Sequence, residues 1–164
     1  MKRILIIFLQ VVIVFLGIVA LAIMIRFPLT EGRAQNLDLF SIYADPFILY
    51  CYAASIPFFI ALYKAFRLLG YISQNKAFSL NSVRALSSIR YCAIVQGILI
   101  VMAGLYIRIF HNKDDDPAGF LAMCIATTFV SLVVATAAAV FENILQNGVD
   151  IKSENEQLYE QSKK

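Results

Sequence analysis

Charge is scarce in this chain: only 15% of its 164 residues are Asp, Glu, Lys or Arg, against about 25% in an average soluble domain. The net charge of +3 is small and dispersed, which excludes the basic stripe of a nucleic-acid binder. Cysteine is scarce too. Cys51, Cys92 and Cys124 form no C-x-x-C, and each lies in an apolar stretch, so a disulfide scaffold, a zinc site and a thiol oxidoreductase are all set aside. They read as small buried hydrophobes. There is no H-E-x-x-H, no Gly-rich phosphate loop and no nucleophile-base pair, so neither a catalytic site nor a cofactor is expected.

What the chain has instead is apolar length. Hydrophobic residues make up 60% of it, which excludes disorder. Four runs stand out: Ile4–Ile25, Phe47–Tyr63, Tyr91–Phe110 and Ala118–Phe141. At ~1.5 Å per helical residue, such runs match a hydrocarbon core about 30 Å thick. They lack period-two alternation, and an open sheet in lipid would strand backbone groups, so helices are predicted. The expected fold is all-α: one integral membrane four-helix bundle, followed by a short helical tail over residues 142–164. Met1-Lys2-Arg3 before the first run also resembles a signal peptide, with Ala20-Leu21-Ala22 as a cleavage site. The run continues past it through Ile25, which favours a retained span.

Basic residues orient the bundle. Lys2, Arg3, Lys64, Arg67, Lys76, Arg84, Arg90, Lys152, Lys163 and Lys164 fall on one side of the four runs, and Arg26, Arg33, Arg108 and Lys113 on the other. The positive-inside rule then places both termini and the Lys64–Arg90 segment in the cytoplasm of a cell whose membrane the protein crosses four times. The outer Arg26–Pro46 segment reads as a loop, with a short interfacial helix around Leu37–Tyr43. Asp45-Pro46 is a helix start, Asp as cap and Pro at the first helical position.

Within the inner segment, Gly70 to Lys76 reads as a polar turn. Ser79 is the expected cap of a helix leading into the third span, with Phe78 stapled onto Val83. Val83, Ala85, Leu86 and Ile89 share one arc of that amphipathic helix, and Asn81, Arg84, Ser87 and Ser88 the other; Ser82 and Arg90 break the pattern. Arg67, Lys76, Asn81, Arg84 and Ser88 are the candidate contacts to a cytoplasmic protein partner or to anionic lipid. In the tail, Asn147-Gly148 reads as a helix stop and Asp150 as a new cap. Ile144, Ile151 and Leu158 recur at seven, too few for a coiled coil, so the tail is expected to be solvated.

No Asp, Glu or Lys lies mid-span, which argues against a proton-coupled transporter. Gln10 and Gln96 stand at similar depth and are expected to hydrogen-bond across spans one and three. Ala93/Gly97, Ala122/Ala126 and Ala135/Ala139 are small-x-x-x-small pairs that favour close packing within the bundle or in a homodimer. His111 to Asp116 holds ligand-type side chains without an EF-hand spacing and reads as a solvated outer turn.

The four-span plan, the Gly70…Lys76-Ala77-Phe78-Ser79…Asn81-Ser82-Val83…Leu86…Ile89 stretch, the small-rich fourth span and the tail Val149-Asp150-Ile151-Lys152-Ser153-Glu154-Asn155 together resemble the YoaS-like small bacterial membrane proteins, a domain-of-unknown-function family. The resemblance covers nearly the whole chain. It implies a membrane-bound regulatory role beside a small helix-turn-helix regulator, and no catalytic residues. Family members often follow the tail motif with an acidic residue, Leu-Thr and a branched residue; Glu156-Gln157-Leu158-Tyr159 departs from that. The reading is a non-enzymatic regulator or interaction protein without direct nucleic-acid binding. The alternatives are an immunity or envelope-stress membrane protein, or a small transporter or channel.

Overall fold

The computed structural model describes residues 2–30, 46–74, 77–110 and 118–163. They form four helices in chain order: α1 (Lys2–Thr30), α2 (Pro46–Ser73), α3 (Leu80–Phe110) and α4 (Ala118–Gln161). Each is long and apolar enough to cross a membrane. Their outward faces carry large apolar side chains, such as Met123 and Ile125, 73% and 72% exposed. In water such a surface would aggregate; in lipid it is solvated. The helices pack in sequence, α1 on α2, α2 on α3 and α3 on α4.

Three expected boundaries are corrected. Gly70 does not open a turn: α2 continues to Ser73, and the chain turns only at Gln74, whose N–H is shared between the carbonyls of Gly70 and Tyr71. The Arg67 guanidinium donates to Tyr71 Oη at 2.7 Å across Gly70, tying the turns on either side of it. Pro57 likewise lies inside α2 without ending it. The amphipathic segment is not a separate helix but the first turns of α3. Gly148 does not stop α4, which runs unbroken for 44 residues. Asp150 is not a cap; its carboxylate accepts from Gln146 Nε2 at 3.0 Å, an i,i+4 pair that spans Gly148. The expected helix start at Pro46 is where α2 begins. The Leu37–Tyr43 helix and the His111–Asp116 turn lie outside the described residues.

The buried core is made mostly of alanine: Ala85, Ala93, Ala103, Ala135 and Ala138, with Ile48, Leu86 and Ile89. Small side chains let backbones approach, which is how helices gain contact where lipid offers no hydrophobic drive. A Cβ on Gly97 would touch Ser131 Cβ at 3.7 Å, and one on Gly104 would touch Cys124 Cβ at 3.6 Å. On α4, Ser131, Ala135, Ala138, Glu142 and Leu145 alternate spacings of four and three, with Cys124 seven residues before Ser131, the seam of a left-handed helix pair. Ala93/Gly97 and Ala135 thus serve the bundle, whereas Ala122 and Ala126 are exposed and do not. Ala135→Leu is accordingly expected to destabilise the bundle by about 1–3 kcal/mol through overpacking, and Ala122→Leu to be neutral. Thermal unfolding in detergent measures both; a loss for Ala122→Leu as large as for Ala135→Leu would refute the seam.

Several hydroxyls in the spans are tied to backbone. Thr127, Thr128 and Thr136 donate to the carbonyls of Met123, Cys124 and Leu132, one turn back in α4. Tyr50 Oη donates to Leu99 O at 2.7 Å, joining α2 to α3. Tyr52 Oη donates to Met24 O at 3.1 Å, joining α2 to α1. The second bond has a covalent reason. In a helix the Met24 carbonyl would receive the N–H of residue 28, which is proline and has none. Tyr52 supplies the missing donor.

Candidate functional site

The described residues that combine polarity with order lie where α3 begins against α4. Ser79 caps α3: the Ser82 N–H reaches Ser79 Oγ at 3.4 Å and Ser79 O at 2.9 Å, and Val83 N–H reaches Ser79 O at 3.2 Å. The Ser79 and Ser82 hydroxyls sit 3.1 Å apart. Ser82 is wholly buried, so its place on the apolar arc is no defect; its hydroxyl stays satisfied by the cap. Below it, Leu86 and Ile89 pack with Ala138, flanked by Ala65, Leu68 and Leu145, which locks α2, α3 and α4 together.

Arg90 also has a place. Its Nη1 lies 3.0 Å from Glu142 Oε2 on α4, a charge contact without hydrogen-bond alignment, and its guanidinium rests 5.0 Å from the centre of the Tyr91 ring. Both side chains of the ion pair are largely shielded.

The contact of Phe78 that the structure shows is with α4. The ring lies so close over Gly148 that a Cβ there would stand 2.4 Å from it. Gly148 is helical, and what it provides is room. Around this contact Phe78, Ile151, Lys152, Asn155, Glu156 and Tyr159 line an open groove of about 490 Å³. Beyond it residues 150–163 are exposed, Ile151 and Leu158 included.

The candidate contact residues divide. Asn81 and Arg84 are exposed on one arc of α3, and the Ser88 hydroxyl donates to Arg84 O at 2.9 Å. Arg67 stands on α2, its guanidinium 5.9 Å and 5.6 Å from the Tyr63 and Tyr71 ring centres. It engages its own helix and is not drawn into the α3 arc. Lys76 lies outside the described residues. Gln10 and Gln96 are not joined through the Gln96 carbonyl: Gln96 Oε1 is buried and has no hydrogen-bond partner. Gln96 instead lines a chamber whose α1 wall is Ala20, Ile23 and Met24, several turns beyond Gln10. The Phe78–Gly148 groove carries no signal in the sequence, because a glycine two residues from an Asp looks like a helix end. Among the described residues, no group of three His, Cys, Asp or Glu side chains is placed to hold a metal.

Four apolar helices whose outer surface is lipid-compatible define a multi-pass integral membrane protein. The chain belongs to a family described as protein of unknown function (DUF2975), whose model matches residues 28–157. It is similar to the "Uncharacterized membrane protein YoaS" of Bacillus subtilis (strain 168), at 40% identity over 159 residues, covering 95% of this chain and 98% of the relative. No solved structure matches it. The protein is thus a YoaS-like bacterial membrane protein that associates with the lipid bilayer.

Proposed function

We propose that the protein is a non-enzymatic interaction protein that holds a cytoplasmic protein partner at the membrane, with both termini and the start of α3 on the cytoplasmic side. The observation that carries this reading is the unbroken α4, whose last turns stand exposed beside the groove of Phe78 and Asn155. A helix of 44 residues is about 66 Å long, twice what the hydrocarbon needs, so its polar end is available to a partner. The excess of Lys and Arg on that side supports the orientation. The exposed arc of Asn81, Arg84 and Ser88 supplies a second polar surface near the same face. A small helix-turn-helix regulator is the partner class that the family resemblance suggests.

Photo-crosslinking residues placed at Asn81 and Asn155 are expected to capture one and the same protein in cells, and one at lipid-facing Ile98 to capture none. Arg84→Glu should lower the yield several-fold with the bundle intact, whereas Leu86→Glu should unfold the bundle by burying a charge. A membrane-impermeant maleimide should label Lys163→Cys in inverted vesicles only. Labelling in intact cells, or equal crosslinking with Arg84→Glu, would overturn the reading.

A further inference from the structure

We infer that α4 pairs with the α4 of a second copy of this chain, along a stripe on the side of the helix that faces away from α3. The stripe steps by three and four, the period of a left-handed helix pair. Within the span it consists of Val130, Val133, Ala137 and Val140. Past Phe141 it continues through Ile144, Asn147, Ile151, Glu154 and Leu158, and every residue of both stretches is exposed. Val133 and Val140 stand two residues, or about 200° around the helix, from Ser131, Ala138 and Glu142, which meet α3. α4 thus carries two seams of one kind on opposite sides, one filled and one bare.

Lipid solvates one half of this stripe and does not reach the other. About 20 helical residues cross the hydrocarbon, so a span entered at Ala118 has been left by Phe141. Ile144, Ile151 and Leu158 stand beyond it, 54%, 60% and 57% exposed, the last of them about 25 Å further on. A soluble partner would cover these three but not Val130 to Val140. What covers the whole stripe is a helix that crosses the bilayer and runs on past it with the same period. This chain supplies one, the 44-residue α4 itself. Two copies in one membrane share their orientation, so their α4 helices run parallel with like residues at like depth. A twofold axis along the membrane normal then sets Ile151 against Ile151 and Leu158 against Leu158, and the stripe is complementary to itself.

The two polar members of the stripe, Asn147 and Glu154, both fall outside the hydrocarbon, where water moderates their cost. Asn147 at a seam position fixes the register, at some loss of affinity. Glu154 against its own copy is repulsive, which keeps the outer half of the pair weak and reversible. The groove beside Phe78 flanks the stripe and shares only Ile151 with it, so the pairing does not rest on the partner proposed for that groove.

The test places single cysteines in turn along residues 143–158 of the full-length chain and oxidises them with copper phenanthroline in native membranes. The unmodified protein, with Cys51, Cys92 and Cys124, sets the baseline. The yield of disulfide-linked homodimer should peak at Ile144, Asn147, Ile151, Glu154 and Leu158, and fall several-fold at Ser153 and Gln157 on the other side of the helix. Energy transfer between labelled copies in liposomes gives a second measure. Glu154→Leu should tighten the pairing about tenfold by removing the repulsion and filling the seam, whereas Glu160→Leu, the same change on another face, should leave it unaltered. A disulfide yield without that period, crosslinks only to a protein of another mass, or equal effects of the two glutamate changes would overturn the inference.

Discussion

Gly148→Ala should not stabilise the protein, although alanine is the better helix former: the helix gain of roughly 0.5–1 kcal/mol is offset by displacing the Phe78 ring, which is 53% exposed. The added Cβ would stand 2.4 Å and 2.6 Å from two carbons of the Phe78 ring, well inside van der Waals contact. The ring must swing aside, and its contact with α4 is lost. The origin of the cost predicts a dependence on Phe78. In a Phe78→Ala background the space is empty, and Gly148→Ala should then stabilise by roughly 0.5–1 kcal/mol, the ordinary gain of replacing glycine within a helix. Thermal unfolding of the four proteins in detergent closes this cycle. A gain from Gly148→Ala in both backgrounds would show that Phe78 is not seated there.

Glu142→Arg should be at least as damaging. It places a second guanidinium where Arg90 now meets a carboxylate at 3.0 Å, with the two side chains only 29% and 16% exposed. Exposed ion pairs contribute about 0–1 kcal/mol, and breaking a buried one costs about 3–5 kcal/mol. This pair stands between these limits, so a loss of about 2–3 kcal/mol is expected. The Arg90 guanidinium also lies over Tyr91, a contact it would give up on swinging into solvent. Arg90→Glu combined with Glu142→Arg should restore much of the stability by reversing the pair. A double reversal no more stable than the single change would mean that the two charges do not sense each other.

The helices were legible in the sequence because each span repeats one kind of information many times, apolar residue after apolar residue. What holds them together was not. The α3–α4 seam is written in Ala93, Gly97, Ser131, Ala135 and Ala138, whose identities say little about which face they line; Ala122 and Ala126 have the same spacing and face outward. Ser82 and Arg90 looked like blemishes on an amphipathic arc, and each is explained by a partner distant from that arc's logic, Ser79 for one and Glu142 for the other. Gly70 and Gly148 misled in the same way. Both weaken a helix locally, and both are overruled by neighbours: an Arg67–Tyr71 bond across the first, a Gln146–Asp150 bond and the Phe78 ring at the second. The polar arc of Asn81 and Arg84 was legible, since alternation on a helix needs no knowledge of the partner helix.

The continuity of α4 makes it a lever. A helix that breaks at the membrane surface lets its outer part swing independently, and any movement within the bilayer is lost at the hinge. Here no hinge intervenes between Ala118 and Gln161. The stretch past Phe141 is about 30 Å long, so a tilt of 10° in the span would carry the tip through roughly 5 Å, the height of one helical turn. The Phe78 and Arg90 contacts stand near the root of that arm, where a small displacement becomes a large excursion at the tip. A tilt of the span would therefore be carried undiminished to the far end of the helix.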